Sequence, residues 1–412
     1  MRRSFVTAVE ATCLWALWAH AVWCVGTTRG LFDWLGLDFA LYSAGARLLL
    51  SGNAAAVYDL ASVARETLPY ADYYGGGADP LKVGPLPYPA PAFLLYAPFL
   101  AFRPPVGFLL WAVFHFALAV HVVRALTVRL PGRSWPLTAL VLSFFPLVYT
   151  LFVGQPVVVL LFAFFRAYRG WEDGHDFRAG LWCGVLLLKV QYPLVLILVL
   201  LYKRRWRSLA GFAATGAVIA LTSLAAFGVR GVAAHLATIR SMSGFRSGHA
   251  IIYPQQMINW RGLLVNVLPA GVPDPVSTVL TLILSALTVA TLLVIWRGRW
   301  EPTGPDFARR MLATLLVTML VSFHSHTHGA TLLLVPGLAL LARDRGHGLL
   351  PQLLRLGLFA PTIVFALTFT PEFVSFLFIA LMAAALGSIF VSELGPVREP
   401  SPSLESAASV TG

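Results

Sequence analysis

The sequence predicts an all-α, polytopic membrane protein of about 12 transmembrane helices, and three observations predict it. Of 412 residues, 58% are apolar and only 12% charged, with a mean hydropathy of +0.77, far from the composition of a soluble domain. The apolar residues run in long Leu/Val/Ala stretches without two-residue alternation, which selects helices over a barrel as the structure that satisfies its backbone in lipid. The Lys and Arg residues lie in short clusters between these stretches. That is the pattern of topology determinants, so the net charge of +12 does not indicate nucleic acid.

Arg2 and Arg3 ahead of an apolar stretch resemble a signal sequence, and Arg2-Arg3-Ser4-Phe5-Val6 a twin-arginine signal. The run from Phe5 to Val25 is too long for a signal core and lacks a small-x-small exit, so it reads as a retained first span, 5–26. Further spans are expected over 105–127, 136–151, 155–169, 178–191, 193–202, 207–227, 274–297, 306–324, 329–343, 351–369 and 372–391. Several fall short of the roughly 20 residues a crossing needs, so tilted or broken helices are expected. The apolar segment 91–102 is bounded by Pro89, Pro91, Pro98, Pro104 and Pro105 and suits a re-entrant or interfacial piece. The apolar spacing after Asp38 predicts an amphipathic helix on the membrane surface, as part of a set of interfacial helices in the outer loops. Beyond about residue 393 the chain is polar and Pro/Ser-rich, which predicts a disordered tail.

With 91–102 not crossing, Arg2/Arg3, Arg124/Arg129/Arg133, Arg166/Arg169/Arg178, Lys203-Arg204-Arg205/Arg207, Arg297/Arg299/Arg309/Arg310 and Arg343/Arg345 fall on one side. That side holds about twenty of the basic residues and is therefore cytoplasmic, with both termini inside. The expected place is the inner (plasma) membrane of a bacterial-type cell. The loops 27–104 and 228–273, Gln155, the Lys189–Tyr192 turn and the His324–His328 cluster then share the outer, periplasmic face. The chain divides into a membrane module over 1–227, a C-terminal membrane module over 228–392, and a cytoplasmic tail over 393–412. Cys13, Cys24 and Cys183 lie in apolar runs without C-x-x-C spacing, which excludes a disulfide framework and a zinc site.

Asp38 is the carboxylate placed for proton transfer, because an acid beside apolar surface at the interface loses hydration and gains proton affinity; the other reading is a helix N-cap. Histidines at the rim of a membrane helix are costly unless used or paired, which singles out Ser322-Phe323-His324-Ser325-His326-Thr327-His328. On a helix, residues 324 and 328 share a face while 326 points away, and no H-E-x-x-H or adjacent carboxylate completes a metal set. Hydrogen bonding to a phosphate or sugar is the reading taken. Arg230, Arg240, Arg246 and Arg261 stand on the side where positive charge is disfavoured, with Gln255, Gln256, Asn259 and Trp260, and ask for an anionic partner: a phospholipid-like substrate or anionic head groups. Lys189 either snorkels to the interface or meets a phosphate. Gln155 either donates to a substrate or caps a helix.

Asp38-Phe39 leading to Tyr42-x-Ala44-Gly45 and Leu49-x-Ser51-Gly52, then Val57-Tyr58-Asp59, Tyr88-Pro89-Ala90-Pro91, Gly154-Gln155, Leu188-Lys189-x-Gln191 and Asn259-x-Arg261-Gly262-Leu263-Leu264 together resemble the family 87 glycosyltransferases of the GT-C superfamily. That family includes polyprenol-phosphate-mannose-dependent mannosyltransferases, and the resemblance runs from about residue 30 to about 345. It implies a GT-C type fold with 1–227 as the catalytic module. It also implies inverting transfer of a hexose such as mannose from a polyprenyl-phosphate donor to a lipid or glycan acceptor on the outer face, without metal or cofactor. By the same resemblance Asp38 is the base, His326 and His328 act at the sugar phosphate, and Tyr42, Gln155, Lys189, Gln191, Asn259, Arg261 and His324 line the substrates. One departure is that the family often follows the histidines with an aromatic and then Asp, where this chain has Gly329-Ala330-Thr331. No Gly-rich nucleotide-binding motif is present, which argues against a nucleotide-sugar enzyme. A lipid-linked-sugar flippase or transporter, and a non-catalytic partner in envelope polysaccharide assembly, are the competing readings. The polar residues gather on one face and no inverted repeat stands out, which weighs against a transporter.

Overall fold

The computed structural model describes residues 2–25, 27, 35–74, 86–130, 135–242, 254–269, 271–343 and 348–394. Arg133, Arg246, Arg345 and the expected tail from 395 onward lie outside the described residues. Among the described residues the structure is helical throughout, and its one strand-like pairing is an isolated antiparallel bridge between Met257 and His326.

The first span is α1 (Arg2–Val25), whose Trp18 donates to the Ser143 carbonyl at 2.9 Å. The following outer segment holds α2 (Leu37–Leu50), a 3-10 turn at Ala54–Tyr58, α3 (Leu60–Tyr74), α4 (Ala90–Leu94) and a 3-10 turn at Ala97–Ala101. At 1.5 Å per residue a five-residue helix covers about 8 Å, so neither piece of 91–102 crosses a bilayer. The next long helix is α5 (Pro104–Thr127), followed by α6 (Trp135–Leu142) and α7 (Phe145–Val153), which meet at a 63° bend. After them come α8 (Val157–Glu172), α9 (Asp176–Gly184) continuing as a 3-10 turn to Lys189, and α10 (Pro193–Tyr202). Pro146, Pro156 and Pro193 stand at the starts of α7, α8 and α10, where a missing N–H costs nothing and the preceding helix is stopped.

The long α11 (Trp206–Met242) contains Gly228 at φ 64°, a break in an otherwise continuous rod. It is followed by α12 (Trp260–Val267), α13 (Asp274–Ile295), α14 (Phe307–Val321), a 3-10 segment at Thr327–Leu333, α15 (Leu334–Arg343), α16 (Leu349–Thr368) and α17 (Pro371–Leu394). Six helices are long and apolar enough to cross a membrane: α1, α5, α11, α13, α16 and α17; the bent α6–α7 pair passes when taken as one span. This makes the chain an integral membrane protein. The other apolar stretches fold as helices too, but α8, α10, α14 and α15 have 16, 10, 15 and 10 residues, below the roughly 20 of a straight crossing.

Two expectations need correction. The helix carrying Asp38 is not laid on the membrane surface: Phe39 to Ala46 and Leu48 of α2 are buried, because α3, α4 and α7 cover it on several sides. The stretch 228–273 is not a loop throughout, since α11 runs on past Gly228 to Met242; its apolar residues keep the helical pattern on both sides of the break.

Charges collect at one end of the bundle. Glu172 at the end of α8 accepts from Arg129 at 3.2 Å, Arg169 at 2.6 Å and Arg343 at 3.0 Å, tying the far ends of α5, α8 and α15 together. Asp176 pairs with Arg205, and Glu393 with Arg310 at 3.4 Å. The other end of α8 begins beside Gln155, so the two ends are about 24 Å apart.

At that end Gly154 has φ +82°, and a Cβ there would lie 2.5 Å from the Cβ of Phe39. Gly52 has a similar φ of +79° with nothing within 4 Å. Gly52→Ala therefore bears only the left-handed strain, about 1 kcal/mol, whereas Gly154→Ala adds an overpacking cost of roughly 1–3 kcal/mol. Unfolding titrations in mixed micelles should rank the two in that order; equal losses would show that the approach of α2 to residue 154 does not constrain the fold.

Candidate active site

Asp38 is positioned by the way α2 begins. Gly36 adopts a left-handed conformation at φ 71°, its N–H donates to the Phe152 carbonyl at 2.9 Å, and it occupies the N-cap without a side-chain cap bond. Asp38 is therefore not the cap. It lies in the first turn, where its carboxylate gains from the helix dipole, and its side chain is hydrogen-bonded by Gln155. The Oε1 of Gln155 accepts from the Tyr42 hydroxyl at 3.5 Å. One amide thus orients both the acid and the phenol, and Gln155 is an internal positioning group rather than a helix cap. Burial raises the proton affinity of Asp38 above the usual carboxylate value of 3.8, while the Gln155 bond and the charge of Lys189 act against it.

Tyr42 is held on both ring faces. Tyr88 stacks at 4.8 Å on one side and Tyr96 at 4.7 Å on the other, and Tyr96 stacks in turn on Trp111 at 4.0 Å. The Tyr96 hydroxyl donates to the Gly154 carbonyl at 2.9 Å, which locks the column to the turn that presents Gln155.

Lys189, at the end of its 3-10 turn, is 1% exposed and does not snorkel. Its Nζ lies 3.2 Å from His328 Nε2 and 5.4 and 5.9 Å from the rings of Tyr88 and Tyr192, distances at which an aromatic face stabilises a cation. Gln191, on the same turn, is also buried.

The histidines depart from helical phase. α14 ends at Val321, Ile258 N–H donates to the Ser325 carbonyl at 2.8 Å, and Met257 bridges His326. The strip 322–326 is non-helical, so the rule that sets residue 326 apart from 324 and 328 on a helix does not apply. The rings form one row instead, with His324 to His326 at 4.6 Å and His326 to His328 at 5.8 Å. Among the described residues no three His, Cys, Asp or Glu side chains form a group that could hold a metal.

Asn259 and Arg261 anchor this strip. Asn259 caps α12 by accepting from Gly262 N–H at 2.7 Å, and its amide donates to the Ser322 carbonyl at 2.7 Å. Arg261 Nη1 donates to the carbonyls of Met242 at 2.7 Å and Phe323 at 2.9 Å. Arg230 and Arg240 are exposed on the last part of α11.

Sequence reasoning missed Tyr96, Thr150 and Tyr192, because buried tyrosines and threonines in apolar helices carry no periodic signal of their own. Thr150 Oγ1 lies 3.3 Å from that of Thr331. A Cβ at residue 329 would stand 2.5 Å from the Tyr192 hydroxyl. Gly329 and Thr331, at the departure from the family pattern, therefore have packing roles of their own. The Tyr192 hydroxyl and His324 Nδ1 are buried and make no hydrogen bond among the described residues, which leaves polar capacity for a ligand.

Asp38, Gln155, Lys189 and the histidine row come from four separate parts of the chain and meet at the end of the bundle away from Glu172. The sequence matches the family model of glycosyltransferase family 87 over residues 86–322, more than half of the chain. Gln155, Lys189, Gln191, Asn259 and Arg261 fall inside that range; Asp38, Tyr42 and the three histidines fall outside it. Comparison with curated proteins gave no match, and neither did comparison with solved structures. On the extent of the family match, carried by an integral membrane chain, the protein belongs to glycosyltransferase family 87.

Proposed function

We propose that this membrane glycosyltransferase moves a hexose such as mannose from a polyprenyl-phosphate donor to a lipid or glycan acceptor at the outer face of the inner membrane, with inversion. The observation that carries the reading is the meeting of a half-buried carboxylate, a buried ammonium and a row of imidazoles at one end of the bundle. Asp38 takes the proton of the acceptor hydroxyl as its oxygen attacks the anomeric carbon from the face opposite the phosphate. The carbon–oxygen bond to phosphate breaks, and its electron pair leaves on the lipid phosphate, where charge grows. Lys189, His326 and His328 stabilise that charge. Gln155 and Tyr42 hold Asp38, while Gln191, Asn259, Arg261 and His324 build the donor side.

In this reading residues 1–227 form the GT-C-like catalytic module, 228–392 the C-terminal membrane module, and 393–412 a cytoplasmic tail. The short helices complete about 12 spans as tilted or paired crossings. The Glu172 end, with its arginines, is cytoplasmic together with both termini. Partners are the lipid-linked donor, the acceptor and membrane lipids.

Asp38→Asn should lower transfer from a polyprenyl-phosphate sugar in proteoliposomes by about 10²–10⁴-fold with unchanged expression and unfolding. The base must be ionised, and burial holds its pKa above the ordinary 3.8. Activity is therefore lost as pH falls through that raised value, and Asp38→Glu should displace this acid limb. Undiminished transfer by Asp38→Asn removes the residue from the mechanism.

Topology is tested independently. In a chain lacking Cys13, Cys24 and Cys183, cysteines placed at the exposed Ala55 and Gly271 should react with an impermeant maleimide in intact cells. A cysteine at Arg299, whose side chain is 91% exposed, should react only after permeabilisation. Labelling of residues 55 and 271 from opposite compartments would break the proposed centre apart.

A further inference from the structure

Two neighbouring spans, α1 and α16, each carry one charged side chain, and the two charges are opposite. Glu10 is the one Asp, Glu, Lys or Arg between Ser4 and Cys24 of α1, and Arg355 is the one in α16. Other acids of the bundle are met by arginines, as Glu172, Asp176 and Glu393 are. Glu10 and Arg355 have no ion pair and no hydrogen bond among the described residues. Glu10 is half-buried and Arg355 exposed. A lone charge within a crossing is costly, and such residues are normally paired.

The two residues lie at one depth. Trp18 of α1 and Thr362 of α16 both donate to the Ser143 carbonyl, at 2.9 and 3.4 Å, so those positions are level. The helices run in the same direction: Leu14 and Leu17 share a cluster with Leu358 and Phe359, and further along His20 meets Phe369 at 5.9 Å. Glu10 precedes Trp18 by about 12 Å and Arg355 precedes Thr362 by about 10 Å along their axes. Glu10 is one turn before Leu14 and two before Leu17, and Arg355 one turn before Leu358 and Phe359, so both border the seam between the helices.

We propose that this seam is where two copies of the chain meet, related by a two-fold axis along the membrane normal, with Glu10 of each copy against Arg355 of the other. Such an axis keeps depth unchanged, so it makes both pairs at once only when the acid and the base are level. A different helix bearing one charge would satisfy one residue and leave the other bare. A second copy satisfies both, and each charge gains the opposite charge that lipid does not supply.

The test uses the full chain with donor or acceptor fluorophores fused to its C terminus, reconstituted in liposomes, with association read by energy transfer as lipid dilutes the protein. Wild type should associate. Glu10→Arg alone and Arg355→Glu alone set like charges against each other and should each weaken association about tenfold or more. A mixture of Glu10→Arg chains with Arg355→Glu chains faces Arg with Glu at one pair and keeps the native pair at the other, so it should recover wild-type association. The doubly exchanged chain should do the same on its own. Glu10→Gln and Arg355→Gln, milder for folding, should each weaken association without recovering on mixing. Wild type that is monomeric at every dilution overturns the proposal and leaves the two charges to lipid. Single variants that associate like wild type also overturn it, since the contact is then elsewhere. Recovery in the doubly exchanged chain but not in the mixture overturns it as well, because the pair is then made within one chain. The sugar-transfer reading stands or falls separately, since neither residue belongs to the proposed centre.

Discussion

A lysine ammonium with 1% of its surface exposed must find locally what water would have supplied, and the centre of this protein is arranged around that need. Removing the hydration of an ammonium costs several kcal/mol unless charge and hydrogen bonds replace it. His328 supplies a nitrogen at 3.2 Å and two tyrosine rings supply their faces, while the field of Lys189 favours the ionised form of Asp38. Gln155 then follows as the group that fixes the acid, and the tyrosine column as the group that fixes Gln155's other partner. Each side chain in the chain of contacts is placed by the one before it.

The class of fold was legible in composition alone, because lipid as solvent leaves few options for a backbone. The polar residues were legible for a related reason: in an apolar sequence an Asp, Lys or His stands out, and its cost implies a use. What the pattern could not give was the phase of the histidine strip. Helical spacing is a rule about residues inside a helix, and here α14 stops at Val321 and the following residues pair with 257 and 258 instead. A contact made by residues more than sixty positions earlier is invisible to a local rule. The same limit applies to α2, whose apolar spacing fits a surface helix equally well until α3, α4 and α7 cover it. Arg261 shows the converse case. Its expected place on the side where positive charge is disfavoured suggested an anionic partner, but its Nη1 is bonded to two backbone carbonyls.

The breaks between helices explain how a site can exist at that depth. A continuous helix satisfies its own backbone and offers only side chains, whereas a terminus offers free carbonyls and N–H groups as well. The turn at Gly154, the 3-10 end at Lys189 and the end of α14 are all such interruptions. They face one another at one end of the bundle, where irregular backbone is tolerated because protein surrounds it. The tightly paired charges at the other end close the same helices, and α8 links both.

The three bonds that hold the histidine strip all end on main-chain oxygens: Ile258 N–H on residue 325, the Asn259 amide on residue 322 and the Arg261 guanidinium on residue 323. Any amino acid at those three positions offers the same acceptor. Instructions for where the imidazoles stand are therefore written partly in residues 258 to 261, within the family-matched range, beside the Ser322 hydroxyl, which donates to the His324 carbonyl at 3.1 Å. One exchange at Asn259 would unfasten both the strip and the start of α12.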